Sequence, residues 1–174
     1  MEKLSVRDAL AVALKTELEG FAYYQYAATV VAEGKGEGVF AHLAEEELEH
    51  MEVIRGILAT LDKGEDCPTY SEALRAGLHK ETPSFGDKNE LIDKLKSNPT
   101  DVNAIAIGMK NEEEAVAFYL KHLKAATTPK EKVVLTRLLE MEKAHLKILR
   151  WESEALNESG FWCGIMEYSV EKEI

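Results

Sequence analysis

The feature that most restricts the fold of this chain is a set of charged residues placed on apolar helical stripes. Leu10, Leu14, Glu17, Phe21, Tyr24, Ala28 and Val31 follow one another at spacings of three and four, which puts them on one face of an α-helix. Phe40, Leu43, Glu47, His50, Ile54 and Leu58 form a second such face. Ile105, Met109, Glu112, Val116, Tyr119 and Leu123 form a third, and Leu135, Leu138, Glu142, His145 and Leu149 a fourth. Each stripe thus carries glutamate, or glutamate and histidine, where leucine would bury without cost. The pairs Glu17 and Glu112, Glu47 and Glu142, His50 and His145, and Tyr24 and Tyr119 are each separated by 95 residues. Four pairs at one offset mark an internal duplication.

The stripes predict long helices over about residues 5–33, 37–62, 101–126 and 130–157. The three glycines of "EGKGEG" (33–38) predict a tight turn after the first helix. Thr100 or Asp101 is placed to cap the third, and Pro129 stands where a fourth helix would begin. Short turns make the first and second helices, and the third and fourth, antiparallel hairpins. Residues 63–100 form a crossover with two weaker helical patches, "YSEALRAGLHK" and "NELIDKLKS", and 158–174 form a short tail. The expectation is an all-α chain, one domain over 1–174, folded as a four-helix bundle of two hairpins and one long connection. Glu17 and Glu47 are 30 residues apart, as are Glu112 and Glu142, and the midpoints fall at or near the two turns. The charged residues of all four stripes therefore share one depth in the bundle.

Composition narrows the function. A net charge of −11, from 32 acidic and 21 basic residues, argues against nucleic acid or an anionic membrane surface as a partner. No apolar run is long enough to span a membrane, and the N-terminus reads as a folded helix, not a signal peptide. Cys67 and Cys163 make no CxxC motif and fit a reducing cytoplasm.

Four carboxylates and two imidazoles buried at one level would repel one another and lose hydration, so a cation must sit among them. Glu47 with His50, and Glu142 with His145, lie one turn apart on one face and can grip the same ion. Two divalent cations balance four carboxylates with both imidazoles neutral. Glu47 and Glu142 are expected to bridge, with Glu17 and Glu112 as terminal ligands and one histidine on each metal. Mixed oxygen and nitrogen ligation suits iron or manganese, and zinc would fit.

One glutamate from each of two helices and Glu-x-x-His from each of the other two is the pattern of the ferritin-like di-iron carboxylate proteins. The segments "ELEGFAYYQYAA…FAHLAEEELEHMEVI" and "NEEEAVAFYLKHL…LTRLLEMEKAHLKIL" resemble the rubrerythrin-like branch of that superfamily. The resemblance implies a ferritin-like bundle and a di-iron oxidoreductase that reacts with hydrogen peroxide or dioxygen. Rubrerythrins carry a further glutamate, a movable ligand, where this chain has Ala115, and an iron–sulfur rubredoxin module for which two cysteines are too few. The symmetric six-residue set is similar to the bacterioferritin centre, which favours ferroxidase or oxidase activity over peroxidase. Turnover would need an external electron donor such as a rubredoxin-type protein, and a homodimer or higher homo-oligomer is expected. Iron storage in a cage, and a non-catalytic helical interaction module, are the competing readings.

The remaining polar residues read differently. Tyr24 and Tyr119 are either core aromatics or hydroxyls that orient a metal-bound glutamate across the bundle. His42 and His79 are expected at the surface, His122 at the surface or else behind a metal ligand, and Glu45, Glu46, Glu49, Glu113, Glu114 and Glu140 on solvated faces. Tyr23 and Tyr26 are read as packing or interface residues. In the tail, Phe161, Trp162, Ile165, Met166 and Tyr168 would cover one bundle end or join a dimer contact, with Cys163 a buried thiol.

Overall fold

The computed structural model describes residues 5–32, 34–78 and 88–165. Among these residues the chain forms six α-helices and no strand: α1 Val6–Val30, α2 Gly34–Leu61, α3 Tyr70–Gly77, α4 Glu90–Ser97, α5 Asp101–Ala125 and α6 Pro129–Ser159. The long helices pack as two hairpins, α1 on α2 and α5 on α6. The connection between them supplies α3, which lies on α2, and α4, which lies on α1 and α5. His79, Met166 and Tyr168, read above as surface and tail residues, lie outside the described residues.

Local chemistry sets the ends. Ser5 accepts from the Asp8 backbone N–H, and Thr100 accepts from that of Asn103. Thr128 and Glu131 form a capping box with Pro129 in the first turn of α6, and Thr69 with Glu72 forms another at α3. Gly160 follows α6 as its cap.

The glycine run departs from the sequence expectation: α2 begins at Gly34, so the run forms its first turn. The reason lies in the tail. A Cβ on Gly36 would stand 2.5 Å from Trp162 Cε2, so the indole packs directly on the start of α2. Trp162 is buried, meets the Phe40 ring edge-on at 5.7 Å, and donates from Nε1 to Asp101 at 2.9 Å. Glu152, also buried, accepts from the backbone N–H groups of Cys163 and Gly164 at 2.9 and 2.7 Å. The described part of the tail is thereby fastened over one bundle end. At the α2–α3 crossing, a Cβ on Gly56 would fall 1.8 Å from Ala73 O and one on Gly77 1.7 Å from Glu52 O, so only glycine allows this approach.

The core consists of two apolar clusters. One gathers Phe21, Tyr24, Phe40, Leu43, Ile105 and Leu149, and the other Leu10, Ile54, Ile57, Tyr119, Leu135 and Leu138. Along each long helix the stripe passes from one cluster to the other, and the buried glutamates and histidines stand at the changeover.

Candidate metal centre

Glu17 on α1, Glu47 and His50 on α2, Glu112 on α5, and Glu142 and His145 on α6 are all buried, none more than 4% exposed. One ligand atom from each of Glu47, His50, Glu142 and His145 lies within 4.8 Å of the others. The two imidazoles stack at 5.0 Å with an interplanar angle of 12°. His50 Nδ1 lies 3.0 Å from Glu142 Oε1, 3.2 Å from Glu17 Oε2 and 3.3 Å from Glu47 Oε2. His145 Nδ1 lies 3.6 Å from Glu47 Oε1 and 3.7 Å from both Glu112 Oε2 and Glu142 Oε2. Glu47 and Glu142 therefore stand near both histidines, whereas Glu17 approaches His50 and Glu112 approaches His145.

Tyr24 and Tyr119 are buried, and each reaches across to the other hairpin. The Tyr24 hydroxyl donates to Glu112 Oε1 and the Tyr119 hydroxyl to Glu17 Oε1. Burial raises both phenols well above their ordinary values, reinforced at Tyr24 by Glu112 and at Tyr119 by Glu17. They are fixed O–H donors. Tyr23, beside them, donates to the Ala104 carbonyl at 2.6 Å and belongs to the packing.

Several polar atoms of the layer have no hydrogen-bond partner among the described residues: Glu47 Oε2, Glu112 Oε2, Glu142 Oε1, His50 Nε2 and His145 Nδ1. Stranding that many buried polar atoms is costly, and four of the five are oxygens or a nitrogen turned toward the other buried carboxylates and imidazoles. The protonation pattern carries the same strain. Burial, then the Glu17 charge, pushes Glu47 up to about 7. Burial and Glu17 also raise Glu142 well above the usual carboxylate range, against the pull of His50. Burial would lower both imidazoles, yet Glu142, Glu17 and Glu47 lift His50 well above its ordinary value, and Glu112, Glu46 and Glu47 lift His145. Glu17 goes down, to about 2, because hydrogen bonds from His50, Glu47 and Tyr119 outweigh its burial. Without a cation the layer holds protons in its place. Oxygen and imidazole donors around stranded atoms fit a pair of divalent cations.

The rubrerythrin family model matches residues 8–152. The chain belongs to the rubrerythrin family. In its fold this rubrerythrin-family chain is similar to a hypothetical protein from Pyrococcus furiosus, with a TM-score of 0.63 and 24% identity over 88% of this chain and 90% of that one. No curated protein matches the sequence. The all-α bundle expected from the stripes, ferritin-like as the resemblance implied, is the fold found.

Two readings of single residues are corrected. Glu46 is not simply a solvated charge: it is half-buried, its Oε2 lies 3.0 Å from His145 Nε2, and its Oε1 lies 3.5 Å from His42 Nε2. The His145 hydrogen bond, outweighing the opposite effect of partial burial, holds the Glu46 carboxyl down at about 2. His122 is buried, not at the surface, with its ring 4.4 Å from that of Phe118, and desolvation lowers its pKa. Glu45, Glu49, Glu113, Glu114 and Glu140 are exposed. Beside Ala115 lies a cavity of about 210 Å³ between α1 and α5, lined in part by Thr16, Glu17, Phe118 and Tyr119.

Proposed function

We propose that this protein is a di-iron oxidoreductase of the peroxide- or dioxygen-handling kind. The observation that carries the reading is the layer itself: four buried carboxylates and two buried imidazoles with stranded atoms facing one another. Glu47 and Glu142 would be shared by two ions, with Glu17 and His50 completing one position and Glu112 and His145 the other. Iron suits this donor set, and manganese or zinc could occupy it. A ferrous pair held there supplies the two electrons that, with two protons, take one hydrogen peroxide to two waters.

The chain's own residues prepare that chemistry. The apolar clusters on either side keep bulk water from the layer. Tyr24 and Tyr119, as donors, fix the rotamers of Glu112 and Glu17 and leave their second oxygens to the cations. Glu47 and Glu142 give up the protons that burial makes them hold, so loading releases protons and weakens as pH falls. Re-reduction would come from an external donor of rubredoxin type. Cys67 is a buried free thiol, in keeping with a cytoplasmic setting.

Anaerobic loading with ferrous iron, followed by limiting peroxide or air-saturated buffer, tests the proposal. Two ferrous ions oxidised per peroxide consumed, at a rate well above free iron in the same buffer, is the expected outcome. Oxidation no faster than in buffer would overturn it. Native mass under the same conditions separates a small oligomer from the large shell that storage requires.

A further inference from the structure

The duplication that builds the centre is imperfect, and one of its breaks bears on a histidine. His145 directs Nδ1 into the layer and engages Glu46 with Nε2 at 3.0 Å. The position 95 residues after Glu46 is Met141, a thioether with no strong acceptor to offer. On the corresponding histidine, His50, Nε2 is buried and has no hydrogen-bond partner among the described residues.

A second pair breaks the symmetry on the same side. Gly20 and Ala115 are also 95 apart, each one turn beyond a lone glutamate. A Cβ on Gly20 would meet Glu47 Oε1 at 3.3 Å and Asn111 Nδ2 at 3.4 Å, so backbone closes on the layer there. Nearby, α4 covers α1: Asn89 donates to the Glu19 carbonyl at 2.8 Å, and Lys96 lies over the Tyr26 ring. At Ala115 the wall opens into the cavity of about 210 Å³, which touches Glu17 and Tyr119. The Glu17 and His50 half faces this cavity, whereas beside the Glu112 and His145 half the Gly20 backbone closes on Glu47 and Asn111.

We propose that Glu46 is a positioning residue that makes the two cation positions inequivalent: a tight one at Glu112 and His145, and an exchangeable one at Glu17 and His50, reached from the α1–α5 cavity. This rests on the reading of the six residues as a two-cation centre. A carboxylate on the far nitrogen of a ligating imidazole fixes its tautomer and ring angle and makes it a better donor. His145 has that support and His50 lacks it. The exchangeable ion would leave and return beside Glu17, the terminal carboxylate that lines the cavity.

Crystals of the full chain with one equivalent of Mn(II), read by anomalous scattering, test the inference. Occupancy several-fold higher beside His145 is expected, and equal occupancy would overturn it. An ion at neither position would instead strike down the two-cation reading. In solution, Mn(II) titration of the wild type should show two phases. Glu46→Leu should weaken the tight phase about 10- to 100-fold and leave the weak one within about twofold. Glu46→Gln, which keeps an acceptor oxygen, should recover part of that loss. A tight phase unchanged in Glu46→Leu would overturn the role of Glu46, and the wild-type occupancies stand as a test even if the variant misfolds.

Discussion

The charged layer and the apolar clusters beside it are built from the same four helices and held by opposite physics. Leu138, Leu135 and Ile54 stabilise the fold by leaving water, whatever else is bound. Glu47, Glu142, His50 and His145 give up hydration with their polar atoms only partly satisfied, so their contribution depends on what fills the space between them. The bundle has one part whose stability is unconditional and another whose stability is set by a ligand.

The largest effect should follow from removing the shared carboxylates. Glu47→Gln with Glu142→Gln should abolish binding of both cations. It should also erase a metal-dependent melting shift of roughly 10–20 °C, the sum of about 2.7 kcal/mol per ion at a hundredfold excess over Kd. Without metal, the same variant should melt higher than the wild type. Leu138→Ala is the contrasting change. It should cost about 2–5 kcal/mol in the metal-free and metal-loaded protein alike, because its cavity lies in a cluster and not in the layer. A Leu138→Ala loss that vanished on metal loading would erase the distinction.

Acidity sharpens it further. Glu47, at about 7, and Glu142, His50 and His145, all raised, bind protons more tightly folded than unfolded. Their stabilisation is present below their unfolded values and is lost as pH rises through the folded ones. Glu17, at about 2, has the opposite sign, but its contribution fades only as pH falls below the ordinary carboxylate range. The metal-free protein should therefore melt lower at about pH 8 than at about pH 5.5, and saturating metal should flatten or reverse the trend. Melting curves with and without chelator check this.

Smaller changes follow at the periphery of the layer. Tyr119→Phe or Tyr24→Phe should cost about 1–3 kcal/mol by stranding an oxygen of Glu17 or Glu112. Each should weaken one of the two cation sites more than the other, as read by titration. His42→Ala should do least, changing metal affinity by less than about threefold, since its contact with Glu46 is long and half exposed.

The four stripes and the depth of the charged residues were legible because helical period and the 95-residue offset are properties of sequence alone. The repeat places each tyrosine two turns beyond a lone glutamate but does not choose between core packing and a bond across the bundle; the bonds found run to the glutamate of the other hairpin. Glu46 was hidden in the run Glu45-Glu46-Glu47, where charge reads as solvation, and its partner His145 is 99 residues away. The signal that could have found it was the failure of the repeat at Met141. His122 sits at the margin of its stripe, where the period does not decide burial, and its ring packs beside that of Phe118. The start of α2 was misread because glycine's low helix propensity yielded to the Trp162 indole, which needs bare backbone at Gly36.

The number of divalent ions held per chain is the most direct measurement. Metal-free protein equilibrated anaerobically with excess ferrous iron, then freed of unbound metal and assayed for iron and protein, should retain two ions per chain, and none after Glu47→Gln with Glu142→Gln. Retention of fewer than one ion per chain, or equal retention by the double variant, would contradict a cation pair at the centre of the bundle.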